Sequence, residues 1–217
     1  MGNLLVSSKL TDFQKEKLYH EFHQFYDLNG DGDITWEDFE LAKQQACKMN
    51  GWKPKSKQAK ATEEAFQQVW DALQKAADPD DEGMINAEKW ITLWQATYKK
   101  LFDDRNRHPK PEDLPDWLQK CIRYRFNMLD RTSDGVIDKE EYEYVMSHFE
   151  VRPPDAKQTF TLISEDNTRK IDFDYYHQLA AEYYFSNDPA SLGNFINGKL
   201  DYQCSNEVPK KKWLFFE

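Results

Sequence analysis

Residues 27–38 read Asp-Leu-Asn-Gly-Asp-Gly-Asp-Ile-Thr-Trp-Glu-Asp, and this stretch constrains the fold more than any other. Side-chain oxygens stand at its first, third and fifth positions (Asp27, Asn29, Asp31), and Gly32 supplies a sharp turn at the sixth. Asp33 offers a backbone carbonyl at the seventh position, Thr35 occupies the often water-bridged ninth, and Asp38 closes the stretch with a carboxylate at the twelfth. Calcium is a hard cation that takes about six to eight oxygens at flexible distances, so the alternation suits it better than a transition metal.

This is the pattern of an EF-hand loop, and it recurs. Residues 130–141 (Asp-Arg-Thr-Ser-Asp-Gly-Val-Ile-Asp-Lys-Glu-Glu) repeat it and end on Glu141, which is long enough to bind through both oxygens. Asp130, Asp134 and Glu141 can bind directly, with Thr132 at the third position, the Val136 carbonyl at the seventh and Asp138 acting through water. This loop is expected to be the tightest site. Asp38 is one methylene shorter than Glu, so closing the first loop through both carboxylate oxygens requires the exiting helix to move inward. A six-coordinate geometry tolerant of magnesium then follows for that loop.

The other two copies are degenerate. Residues 78–89 keep Asp78, Asp80, Glu82, Gly83 and the Met84 carbonyl but end on Lys89, which has no lone pair when protonated and repels the ion. Asp78, Asp80, Glu82 and Met84 therefore make a weak third candidate, since Glu88 could reach an ion only through a distorted exit. Residues 164–175 place Ser164 first, Arg169 sixth and Tyr175 last, so this loop is expected to hold no ion and to serve as a structural partner. All four copies carry isoleucine at the eighth position (Ile34, Ile85, Ile137, Ile171), where paired loops exchange a short antiparallel bridge.

Apolar residues at helical spacing bracket every loop, as in Phe66, Val69, Trp70 and Leu73 before the second and Tyr142, Val145, Met146 and Phe149 after the third. Thr11 to Gln14 reads as a capping box opening the first helix. The expectation is an all-α EF-hand fold, with two pairs of helix-loop-helix hands packed into a compact molecule. The boundaries are 10–100 for the first pair, 115–186 for the second and 187–217 for a C-terminal segment. Connectors are read at residues 50–60 and 99–115, both rich in turn-forming or charged residues.

Composition excludes several classes. A net charge of −10 argues against nucleic-acid binding, and the three cysteines (Cys47, Cys121, Cys204) lack paired spacing, which points to free thiols in a reducing compartment. No apolar run approaches the ~18 residues of a membrane span, and no secretory signal precedes the first repeat, so the expected location is cytoplasmic and the expected state a monomer. Phosphate-loop, zinc-cluster and nucleophile motifs are missing, so the chain is not expected to be an enzyme.

The repeat order, the long first pair, the degenerate fourth hand and the segment Tyr184-Phe-Ser-Asn-Asp188 leading to Gly193-Asn-Phe195 resemble calexcitin and the invertebrate sarcoplasmic calcium-binding proteins. Leu10 to Gln14, Phe25 to Asp27, Trp36 to Leu41 and Ile137 to Lys139 resemble calexcitin in particular. The resemblance covers residues 10–200 and implies a calcium role in nerve or muscle, as a sensor with a protein target or as a calcium and magnesium buffer. Lys89 and the longer tail depart from the family pattern. The architecture also resembles the calcium-triggered photoproteins, which makes a luciferin oxygenase the enzyme alternative. Residues 1–7 resemble a myristoylation start with its hydroxyl one place late, and residues 209–217 join three lysines to an apolar tip, so the termini offer a route to membrane contact.

Overall fold

The computed structural model describes residues 9–103 and 110–202. The myristoylation start, the basic tail and Cys204 lie outside them. Among the described residues, eight α-helices carry the four loops: α1 (Asp12–Glu21) and α2 (Trp36–Asn50) flank the first, and α3 (Lys57–Ala77) and α4 (Ala87–Asp103) the second. The third lies between α5 (Asp116–Leu129) and α6 (Lys139–His148), and the fourth between α7 (Pro153–Ile163) and α8 (Phe173–Phe185). Two-residue strands join the loops in antiparallel pairs, β1 (Asp33–Ile34) with β2 (Ile85–Asn86) and β3 (Val136–Ile137) with β4 (Ile171–Asp172). Ile34 faces Ile85 and Ile137 faces Ile171, and all four are buried, so each bridge is a hydrogen-bonded pair resting on core side chains.

Helix starts follow from capping chemistry. The Thr11 hydroxyl accepts from the Gln14 amide while the Gln14 side chain accepts from the Thr11 amide, the capping box expected from sequence. Helix α1 then widens into a π turn at Phe22–Tyr26, closed by the Asp27 amide on the Phe22 carbonyl at 2.8 Å. This turn delivers Asp27 to the loop and was not legible in the apolar spacing. The connectors are shorter than expected. Helix α3 begins at Lys57 because Ser56 caps the Ala59 amide, and α4 runs to Asp103 because Trp94, Tyr98 and Leu101 continue its buried face.

One continuous apolar cluster runs through both pairs. At its centre Trp90 and Trp94 of α4 pack edge-on against Trp117 of α5, and Tyr184 of α8 stacks on Trp94 at 4.6 Å. Phe22 and Tyr26 from the first hand meet the same Trp90, so all four hands share one aromatic centre. After α8 the chain turns through residues 186–197 back onto the molecule. Gly193 crosses α8 so closely that a Cβ would overlap the Leu179 carbonyl and Glu182.

Two buried charged groups tie these layers. The Arg125 guanidinium of α5 pairs with the fully buried Glu21 of α1 at 2.7 Å, and the Tyr184 hydroxyl donates to the same carboxylate oxygen at 2.6 Å. Lys17, 1% exposed, donates to the Ser186 carbonyl at 2.9 Å and to Asn194 Oδ1 at 2.8 Å, fastening the returning segment to α1. Burial pushes the Lys17 ammonium down to about 7, with Glu182 opposing the shift. Two N–H donors meet two acceptors, so the neutral amine keeps both hydrogen bonds.

The unfolded chain holds the Lys17 proton up to about pH 10.4, whereas the folded chain releases it near 7. Unfolding therefore takes up a proton between these values, and stability from this group rises with pH. From pH 7 to 9 the gain is about 2 kcal/mol. Urea unfolding in calcium-free buffer should show this rise, and Lys17→Met should remove it.

Candidate metal centres

Each loop hands its twelfth residue to the first turn of the exit helix, where position nine is the N-cap and position twelve is N3. Asp138 accepts from the Glu141 amide at 2.8 Å while Glu141 Oε2 accepts from the Asp138 amide at 3.1 Å. In the first loop Asp38 Oδ2 accepts from the Thr35 amide at 2.8 Å. The geometry that ends the metal loop is thus the geometry that starts the helix, and it places the closing carboxylate at a helix N-terminus.

The other oxygen of each closing carboxylate reaches across its loop. Asp38 Oδ1 accepts from the amides of Leu28 at 2.8 Å and Asn29 at 3.1 Å, and Glu141 Oε1 from that of Thr132 at 2.7 Å. The shorter Asp38 therefore spans its loop as Glu141 does. At the loop entrances Asp130 accepts from the Asp134 and Gly135 amides, which fixes its carboxylate over the turn. Gly32 and Gly135 adopt φ of +97° and +87° at the sixth position, a conformation that side chains rarely enter. Among the described residues no three acidic, histidine or cysteine side chains already converge as a metal cluster. The acidic ligands are instead spread over backbone amides, with Asp31 accepting from Asp33 and Asp134 from Val136.

The donor set fits a hard cation. Asp27 is buried, its Oδ2 lies 3.3 Å from His23 Nδ1, and its Oδ1 has no hydrogen-bond partner. A buried orphan carboxylate oxygen facing a loop of acids is costly without a cation. The electrostatics agree. Burial and then the charges of Asp31 and Asp27 raise the Asp33 carboxyl, and burial raises Asp38 against the pull of its three amide donors.

The degenerate loops solve the same charge problem internally. Lys89 Nζ lies 2.5 Å from Asp78 Oδ1, 2.7 Å from Glu82 Oε2 and 3.3 Å from the Met84 carbonyl, three of the oxygens expected to face a metal. The sequence suggested that Lys89 would repel an ion; the structure has its ammonium among those oxygens in the ion's stead. Lys89 is raised above the usual lysine range by its hydrogen bonds to Asp78 and Glu82. Asp78 is lowered, the Lys89 and Gly83 donors outweighing burial, which acts the other way. Asp80 and Glu88 are exposed. In the fourth loop the Arg169 guanidinium lies 3.5 Å from the Tyr175 ring centre and pairs with Glu165 at 3.1 Å, and the Tyr175 hydroxyl donates to the Ile163 carbonyl. Positions six and twelve thus close that loop through a stacked cation. Lysine at position twelve, opposite acids at positions one and five, is the signal of this pairing in the sequence.

Comparison with known proteins agrees with this architecture. The EF hand family model matches residues 24–41 and 122–146, which include the entrances and binding positions of the first and third loops. Sarcoplasmic calcium-binding proteins I, III and IV of Branchiostoma lanceolatum are 27% identical over 88% of this chain and 98% of their own. Calexcitin-1 of Caenorhabditis elegans is 25% identical over 90% and 91%. The solved structure of a sarcoplasmic calcium-binding protein from amphioxus superposes with a TM-score of 0.72 at 26% identity, covering 88% of this chain and 98% of that one. Calcium-loaded apo-aequorin from Aequorea victoria shares the fold alone, at 16% identity and a TM-score of 0.56 over 83% and 94% of the two chains. The chain is a homologue of the sarcoplasmic calcium-binding proteins and calexcitin-1, with their all-helical EF-hand fold.

If Lys89 stands in for an ion, exchanging it should convert the second loop. Lys89→Glu should add one calcium to the calorimetric stoichiometry, at a dissociation constant of roughly 10⁻⁶–10⁻⁴ M. Lys89→Met should add none and should lower the melting temperature in calcium-free buffer. A wild-type protein that already binds calcium in this loop would show the substitution reading to be wrong.

Proposed function

We propose that this chain, a homologue of the sarcoplasmic calcium-binding proteins and calexcitin-1, is a calcium-binding protein whose working sites are the first and third loops. Asp27, Asn29, Asp31, the Asp33 carbonyl and Asp38 would hold the ion in the first loop. Asp130, Thr132, Asp134, the Val136 carbonyl and Glu141 would hold it in the third. The bound ion would neutralise the gathered carboxylates and draw the twelfth residue toward the loop. The observation that carries this reading is the contrast within each pair. Loops two and four supply Lys89 and Arg169 from within, whereas the acids of loops one and three form no salt bridge with lysine or arginine among the described residues, and Lys89 acts on Asp33 only through its longer-range charge.

Sensor and buffer remain the two forms of this function. The calexcitin likeness supports a cytoplasmic sensor that exposes apolar surface to a target. One observation favours the buffer: a single apolar core joins both pairs, so opening one hand would have to part it from the other. Among the described residues no helix is long and apolar enough to cross a membrane. The pocket between Phe25, Phe39, Phe66, Tyr124 and Phe149 has a volume of about 60 Å³, less than half the ~150 Å³ that admits benzene, so this aromatic pocket is too small for a luciferin.

Calorimetric titration of calcium, repeated in ~1 mM magnesium, tests the proposal. Two sites are expected. Dissociation constants near 10⁻⁸ M that weaken sharply with magnesium identify a buffer, and values of ~10⁻⁷–10⁻⁵ M little changed by magnesium a sensor. A wild-type protein that binds no calcium refutes the proposal.

A further inference from the structure

In an EF-hand pair the two loops are linked directly through their bridge, here Ile34 with Ile85 and Ile137 with Ile171. In this chain each bridge leads from an acidic loop to one already closed by its own cation. Two binding loops can therefore influence one another only across the boundary between pairs, and the structure has a set of contacts there.

Helix α2 begins at the first loop, with Asp38 in its first turn, and ends at Asn50. At its far end the Met49 carbonyl accepts from Arg131 Nη2 at 3.3 Å and from the Tyr144 hydroxyl at 3.1 Å. Arg131 lies between the third-loop ligands Asp130 and Thr132, and Tyr144 is one helical turn beyond Glu141 on α6. The Arg131 guanidinium also stacks on the Tyr144 ring at 3.9 Å, so the two donors form a single clamp. Helix α2 is thus a rod of 15 residues, roughly 22 Å long, with the closing ligand of one loop at its start and the other loop at its end.

Two further contacts hold the same hands together. Glu21 and Arg125 lock the entering helices α1 and α5, and Gln24 donates to the Phe149 carbonyl at the end of α6. The pocket of about 60 Å³ lies between these contacts, lined by Phe39 and Met49 from one hand and Met128 and Phe149 from the other.

We infer that calcium binding at the first loop and at the third loop are coupled favourably through α2, clamped at its C-terminal end by Arg131 and Tyr144. The inference rests on the proposal that these two loops bind calcium. When the third loop closes, Glu141 and Tyr144 are fixed together on α6, and the end of α2 is fixed with them. Closing the first loop then orders a helix that is already held, so the second ion meets a smaller ordering cost. Arg131 and Tyr144 are positioning residues; neither supplies an oxygen to an ion.

The test uses calorimetric calcium titrations of the full chain with each loop disabled in turn. Asp31→Lys and Asp134→Lys each place a cation at an exposed fifth position, outside the core. Coupling predicts that each remaining loop binds at least about fivefold more weakly alone than when the other is filled, by the same factor in both directions. Adding Arg131→Gln and Tyr144→Phe to all three backgrounds should bring that factor toward one, which separates coupling from any direct effect on loop affinity. Equal affinities with and without the neighbouring loop, or tighter binding when it is disabled, would overturn the inference. Absence of calcium binding in the unaltered chain would instead refute the functional proposal on which it rests.

Discussion

Concentrated negative charge at the start of a helix is the constraint around which this molecule is organised. In the first and third loops the closing carboxylate lies at the helix N-terminus because it accepts from the amide of the N-cap residue, which sets it opposite the other acids of its loop. Carboxylates so gathered repel one another unless a cation answers them. Two loops answer with residues of their own, Lys89 against Asp78 and Glu82, and Arg169 against Glu165 and the Tyr175 ring. Degeneracy in the second and fourth loops is thus a change of counter-ion, and it leaves the bridge to the neighbouring loop intact.

That change has a consequence for folding. A loop that carries its own cation can form before any ion arrives, so Ile85 and Ile171 are available to bridge Ile34 and Ile137. The remaining assembly depends on the aromatic centre of Trp90, Trp94, Trp117 and Tyr184, where all four hands meet. Glu21 and Arg125 lie close beside it. A buried ion pair contributes little net stability over an apolar equivalent, but removing one member leaves a charge stranded. The pair therefore acts more to select which faces of α1 and α5 meet than to strengthen the contact.

Much of this was legible in the sequence because it is local. Loop positions, the eighth-position isoleucines and the Thr11 capping box are set by spacing within a dozen residues, and the structure has them where the spacing places them. The polar side chains in the core were not legible. Nothing in the spacing of Lys17, Glu21 and Arg125 sets them apart from solvated helix residues, because their partners Asn194, Tyr184 and each other are remote in sequence. The π turn at Phe22–Tyr26 was hidden for a related reason: a helix that gains one residue per turn keeps its composition and changes only its phase. Lys89 was visible, and its effect depends on the partner considered. Reading it against an incoming ion gave repulsion, whereas reading it against Asp78 and Glu82 gives attraction.

The same geometry bears on how far this protein can move. A sensor needs a face that is covered at rest and exposed when calcium arrives, which requires the two helices of a hand to separate. Here α2 is held at one end by its loop and at the other by Arg131 and Tyr144, and α1 is held to α5 by Glu21. Opening the first hand would break contacts to the third, and the buried aromatic centre would have to part as well. Half of each pair is already closed by a side-chain cation, which leaves less of the structure for calcium to reorganise. A molecule built this way gains most from an ion by relieving charge, as at the orphaned Asp27 oxygen, and least by changing shape. Under the proposed function, uptake of calcium with small, transmitted adjustments of α2 fits these contacts better than wide opening of a target groove.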